Sequence, residues 1–243
     1  NAFPITCVEL GAQSMDDEVL RRAGRGHSAG DVRRAVGLCR AKGFETGLHL
    51  MAGLPGESRD SFEASVAEAI RIVPDTVRIH PVLVFRDTEL ARRYTRGQYR
   101  PLSLDEAVSW CKSALVNFTR AQIPVIRLGL QATGEMDKEG GILAGPWHPA
   151  FRSLVEAEIF RDMALELMDR ASAGGKERVF RVAPTDLSSF NGPRGRNRSL
   201  LESRFGGVSI AALPDPAIPR GELKMQDGLR VFGSSITEVT SLV

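Results

Sequence analysis

The chain lacks any closely spaced set of thiols. Its three cysteines, Cys7, Cys39 and Cys111, lie far apart in 243 residues. Neither C-x-x-C nor C-x-x-x-C-x-x-C occurs, so no local metal or cluster motif is present. Cys39 and Cys111 fall among helical apolar positions, where a buried structural thiol is the simplest reading. Long apolar runs are missing as well. None approaches the roughly 20 residues needed to span a bilayer, and no signal-peptide pattern opens the chain. A cytoplasmic location with no membrane partner is therefore expected. A surplus of one charge is also absent: 32 Lys plus Arg against 30 Asp plus Glu leave +2. That balance decides nothing about nucleic acid, which needs a concentrated basic face. No internal repeat stands out, and no methionine stands first. The chain opens at Asn1 in what reads as the approach to a strand, so a piece or processed product of something longer is expected.

What remains is ordinary globular material, 42% apolar and 26% charged, long enough for one large domain or two small ones. Short apolar runs at residues 6–10, 46–51, 76–84 and 125–130 read as strands. Between them, helices are expected at 15–23, 29–41, from 58 or 60 to 72, 89–95 and 103–120. Ser28 and Ser58 stand where a side-chain oxygen can cap a helix, and Gly43 where one can stop. Buried strands alternating with amphipathic helices predict a parallel α/β sheet. Four strands cannot close a barrel, so the fold class expected is part of one, its second half, over residues 1–130.

After residue 141 the alternation stops. Residues 151–171 read as a helix, residues 131–174 as a connecting loop and helix with a boundary near Gly174, and 175–243 as a small α+β appendage. Strand-like runs fall at 179–183, 207–211 and 228–232. The segment Gly192-Pro193-Arg194-Gly195-Arg196-Asn197-Arg198 reads either as a phosphate contact or as a solvated turn.

Two strands end in polar or glycine-rich residues: Glu9-Leu10-Gly11-Ala12-Gln13-Ser14, followed by Arg25-Gly26-His27, and His49-Leu50-Met51-Ala52-Gly53-Leu54-Pro55-Gly56. In parallel barrels, functional groups sit at such carboxyl ends. Together with Arg78-Ile79-His80-Pro81-Val82-Leu83-Val84 and Tyr94-Thr95-Arg96-Gly97-Gln98-Tyr99, these stretches resemble the radical SAM core of the elongator catalytic subunit family. The likeness covers about residues 5–130. The spacing of Gln13 and Arg25 is more distantly similar to that of oxygen-independent coproporphyrinogen oxidases. Gly129-Leu130-Gln131 and Gly145-Pro146-Trp147-His148-Pro149-Ala150-Phe151 look like a bacterial branch of these proteins.

The resemblance implies S-adenosyl-L-methionine and a 4Fe-4S cluster as cofactors and a 5′-deoxyadenosyl radical as their product, with the protein orienting the cofactor. It implies that Gln13 bonds the ribose or methionyl part and that Arg25 holds the carboxylate, where a guanidinium fits. His49 would contact the ribose, and Met51, Gly53 and Leu54 would pack along the adenine. Glu9 is read either as a ribose or amine partner or as half of an ion pair. Arg78 and His80 are read either as substrate-side groups or as structural ones. Each of the others has a plain rival: Gln13 as a helix cap, Arg25 as a solvated charge, His49 as a core histidine.

Relatives carry C-x-x-x-C-x-x-C and a Gly-Gly motif for the methionyl amine ahead of the matched region. Neither occurs in this chain. Without three thiolates no site-differentiated cluster forms, so the chain alone is expected to be inactive, its ligands lying in a missing N-terminal half-barrel. No acyl-CoA-cradling glycine motif stands out. The substrate is open, with RNA as one candidate partner. The competing readings are a non-catalytic RNA- or partner-binding α/β module, and an α/β-barrel enzyme without a cluster, whose carboxylate or lysine pairs are not found.

Overall fold

The structure is a computed structural model that describes residues 4–130, 141–171, 177–228 and 230–239. Its contacts divide the chain into two compact units, Asn1–Phe151 and Arg152–Val243. The boundary expected near Gly174 lies outside the described residues, as does Gln131.

The first unit runs β1 (Cys7–Gln13), α1 (Asp17–Arg22), α2 (Ala29–Ala41), β2 (Glu45–Ala52), α3 (Arg59–Ile72), β3 (Thr76–Pro81), β4 (Val84–Phe85), α4 (Glu89–Thr95), α5 (Leu104–Arg120), β5 (Val125–Leu128) and β6 (Ile142–Ala144). Strands β1, β2, β3 and β5 form one sheet in that order, every pairing parallel. That is the arrangement right-handed βαβ crossovers produce, and it matches the partial barrel expected from the sequence.

Two strands are shorter than expected. The third stops at Pro81 because its neighbour β2 ends opposite it at Ala52. Val84 and Phe85 leave the sheet and pair antiparallel with β6. The fourth stops at Leu128 because Gly129 turns the chain at φ 85°, and a Cβ there would run into Phe151.

The helices begin where their caps dictate. Ser28, Ser58 and Ser103 each accept from the backbone N–H three residues on, with a reciprocal side chain completing the box. Such caps contribute about 1 kcal/mol each. The helix-side face of the sheet is dry: Leu48, Leu50, Val77 and Ile79 are at most 1% exposed. Each such side chain contributes roughly 1.5–3 kcal/mol of burial. Phe62 of α3 and Trp110 of α5 stack at 5.7 Å.

The second unit holds most of α6 (Phe151–Arg170), then β7 (Glu177–Val182), α7 (Leu187–Asn191), α8 (Arg196–Arg204), β8 (Ser209–Pro214), β9 (Glu222–Asp227) and β10 (Arg230–Ser235). Its sheet order is β10-β9-β7-β8, with β7 and β8 parallel and the other pairs antiparallel. This is a small α+β fold, as expected. Strand β9 escapes a sequence reading because only Leu223 and Met225 alternate among polar residues, although both are fully buried. In the Gly/Arg segment Arg194 and Arg196 are exposed. Asn197 is buried and donates to the carbonyls of Ala157 and Phe190 at 2.8 and 3.1 Å. Among the described residues no helix is long and apolar enough to cross a membrane.

Candidate functional site

Alternation along a strand puts every second side chain on one face. The face of the first sheet away from Leu48, Leu50, Val77 and Ile79 carries Glu9 and Gly11 of β1, Gly47, His49 and Met51 of β2, and Arg78 and His80 of β3. These polar groups are joined across strands. Glu9 Oε1 accepts from Arg78 Nη2 at 2.5 Å. Gly47 lies between these strands, where a Cβ would come within 3.0 Å of both Glu9 Cγ and Thr76 Oγ1. His49 Nε2 and His80 Nδ1 share a hydrogen bond of 2.9 Å, their rings nearly perpendicular.

Gln13 ends β1 in the left-handed region, φ 57°, a conformation rare outside glycine and concentrated at functional sites. Its side-chain amide occupies the space where a Cβ on Gly11 would be. Gly11 alternates with Glu9, so the Gln13 amide lies over the polar face. Arg25 comes from the α1–α2 loop, which is tied down at both ends. His27 Nε2 bonds the carbonyl of Ala12 at 3.2 Å, and Asp17 accepts from the Ala29 N–H at 2.7 Å. Arg25 Nη2 then lies 3.8 Å from Met51 Sδ.

The charges explain the histidines. Burial lowers the His49 pKa, and Arg78, Arg25 and Arg127 lower it further against the opposing pull of Glu9. Burial together with His49, Arg127 and Arg78 brings His80 down to about 4. Both imidazoles are therefore neutral near pH 7.

The structure thus brings Glu9, Gln13, Arg25, His49, Met51, Arg78 and His80 together. Leu54 is 5% exposed and packs with Val19, Val82, Val84, Ala91 and Tyr99, a cluster against which Met51 also packs. Gly53, at φ 88°, abuts Leu102. There a cavity of about 370 Å³ is lined by Gly53, Glu57, Tyr99, Leu102, Glu106 and Trp110 among others. Glu57 Oε2 accepts from the N–H groups of Gly53 and Leu54, and burial raises its carboxyl to about 7. Tyr99 donates to the Gly53 carbonyl at 2.6 Å.

Sequence reasoning missed Arg127, whose field reaches both histidines. The signal was an arginine inside the apolar run Val125-Ile126-Arg127-Leu128. It also assigned no role to His27, which anchors the Arg25 loop. Among the described residues no three His, Cys, Asp or Glu side chains converge to hold a metal ion. Cys7 is exposed, Cys39 half-buried and Cys111 buried.

The family model for the Radical SAM superfamily matches residues 2–69, and that for the Radical SAM C-terminal domain matches residues 74–161. The chain is 36% identical over 121 residues to the tRNA uridine(34) acetyltransferase of Methanocaldococcus infernus, a match covering 47% of this chain and 23% of that protein. It is 27% identical over 118 residues to the oxygen-independent coproporphyrinogen-III oxidase-like protein HemZ of Bacillus subtilis, covering 46% and 24%. The archaeal Methanocaldococcus infernus Elp3 with an N-terminal deletion superposes with a TM-score of 0.53 at 28% identity, covering 68% of this chain and 36% of that one. The matched segment spans about a quarter of the length of these two curated relatives.

Proposed function

The chain belongs to the radical SAM superfamily, and from that premise we propose that its first unit supplies the S-adenosylmethionine-binding strands of a radical SAM enzyme. One observation carries the reading. Gln13, Arg25, His49 and Met51 lie on one face toward the carboxyl ends of parallel strands, with Glu9 on the same face nearer the amino end, and such folds place ligands at the carboxyl ends.

The residues fit the cofactor. Arg25 offers a fork of donors suited to the methionyl carboxylate, and its loop is fixed by His27 and Asp17. Gln13 presents an amide able both to donate to and accept from a ribose hydroxyl. Met51 lends an apolar wall beside Arg25. Neutral His49 adds a hydrogen-bonding edge without adding positive charge beside a sulfonium. The chemistry S-adenosylmethionine supplies in this superfamily is hydrogen-atom abstraction by its 5′-deoxyadenosyl group, while the protein binds and orients.

The described residues do not fit the cluster. It takes closely placed thiolates, whereas the three cysteines are scattered and no ligand group converges. No step is therefore assigned to this chain through a cluster. An RNA substrate is proposed on the strength of the 36% identity to a tRNA-modifying relative.

Calorimetric titration of the full chain with S-adenosylmethionine tests the reading. A dissociation constant near 0.1–1 mM is expected, about −4 to −5.5 kcal/mol. Arg25→Ala and Gln13→Ala should each weaken it about tenfold, a loss of about 1.4 kcal/mol. Unchanged affinity in both variants overturns the assignment. With dithionite the chain should yield no 5′-deoxyadenosine above the blank.

A further inference from the structure

Two nitrogens from this face of β3 have no hydrogen-bond partner. Arg78 Nε and His80 Nε2 are both buried without a hydrogen bond. They belong to alternate residues of β3, so both side chains leave the same face about 7 Å apart along the strand. An unsatisfied buried donor costs roughly 1–3 kcal/mol, and in native proteins such groups generally have a partner, an ion or a ligand included.

The partners they already have limit what can bind. Arg78 donates from Nη2 to Glu9, and its Nε, a donor only, is buried without a partner. His80 spends Nδ1 on His49. When His49 Nε2–H donates to that nitrogen, the His80 proton sits on Nε2, which then also donates. Two free donors, one of them on a guanidinium, suit an anionic oxygen group.

The charges nearby agree. Arg78, Arg25 and Arg127 bear on His49 against Glu9, and Arg127 and Arg78 bear on His80. His49 and His80 supply hydrogen bonds without charge.

We propose that Arg78 and His80 form a subsite for an oxyanion, a carboxylate or phosphate carried by the second substrate, beside the adenosyl site. The inference rests on reading this face as the reaction chamber. Arg25 serves the cofactor carboxylate at one side, and the Arg78–His80 pair serves the substrate at the other. The anion selects the histidine tautomer: it fixes a proton on His80 Nε2 and thereby fixes the direction of the bond from His49.

Nitrogen-15 spectra of histidine-labelled full chain test this directly. Inorganic phosphate and acetate are added separately at constant ionic strength, with chloride as the control. A saturable shift of the His80 Nε2 resonance is expected with one or both, midpoint about 1–10 mM, and none with chloride. A response to phosphate alone assigns a phosphate-bearing substrate, and a response to acetate alone a carboxylate. Arg78→Met should raise the phosphate or acetate midpoint, read on the same His80 resonance, about tenfold, while amide spectra outside β3 show the fold retained. No saturable shift with either anion overturns the proposal, as does an unchanged midpoint in Arg78→Met. S-adenosylmethionine is titrated on the same samples. An anion response without cofactor binding supports the anion subsite and overturns the cofactor reading. Cofactor binding without an anion response does the reverse.

Discussion

Glu57 shows how one residue sets a measurable pH dependence. Its carboxyl rises from an ordinary 4.5 to about 7, chiefly through burial. The stability held by its protonated form is complete below pH 4.5 and is lost as pH climbs through 7. His80 acts in the opposite sense. Its value falls from 6.5 to about 4, so its contribution is complete above pH 6.5 and is lost as pH falls toward 4. Glu57→Gln keeps an acceptor for the Gly53 and Leu54 N–H groups and removes only the first titration. The wild type should therefore lose stability relative to this variant, by roughly 1–3 kcal/mol between pH 4.5 and 7.5, in urea unfolding at each pH. A flat difference would show that Glu57 is not buried as described. Nothing in the sequence announced this group, because its burial arises from Tyr99, Leu102 and Trp110, more than forty positions away. Gln13 and His49 were legible for a different reason: they sit where an apolar run stops or is interrupted, and polarity out of place can be read without a structure, whereas Arg25 stood out through the family resemblance.

Elements were legible in proportion to their local signals. Helices α2 and α4 begin and end at the residues read from the sequence, and α3 and α5 begin one residue inside their serines, because Ser28, Ser58 and Ser103 act through their own next turn. Strand ends were less legible, since β3 stops only where β2 runs out beside it, a fact of pairing and not of local composition. The end of α3 carries a testable strain. Val73 closes the helix at φ 55° and ψ 58° with its side chain 61% exposed. A β-branched residue in the left-handed region costs about 1–2 kcal/mol, and there is little packing to offset it. Val73→Asn should raise the unfolding free energy by about 1 kcal/mol, asparagine tolerating this region without the extra unfolded-state freedom of glycine. Arg40 donates to the carbonyls of Ile72 and Val73 and should hold the turn in both proteins. A midpoint of urea unfolding that falls or stays fixed would contradict the strain.

At the scale of the whole molecule, the sheet of the first unit has two outer strands, β1 and β5, each paired on one side only among the described residues. The two are not equally protected. Both carry a register shift, β1 only past Leu10, and β5 adds an arginine, Arg127; both features discourage further pairing. β1 is regular against β2 from Cys7 to Leu10. The run Ile5-Thr6-Cys7-Val8-Glu9-Leu10 has one charge and no proline, the composition that recruits another strand. Ile5 adds an apolar side chain 67% exposed at its start. The chain should accordingly self-associate through β1, seen as a weight-average mass that grows with concentration in sedimentation equilibrium. Ile5→Lys places a charge at this edge and removes little buried surface, so stability should change by no more than about 0.5 kcal/mol while association weakens about tenfold. A chain that stays monomeric at every concentration would mean the β1 edge is already guarded. Association indifferent to Ile5→Lys would move the contact to another surface.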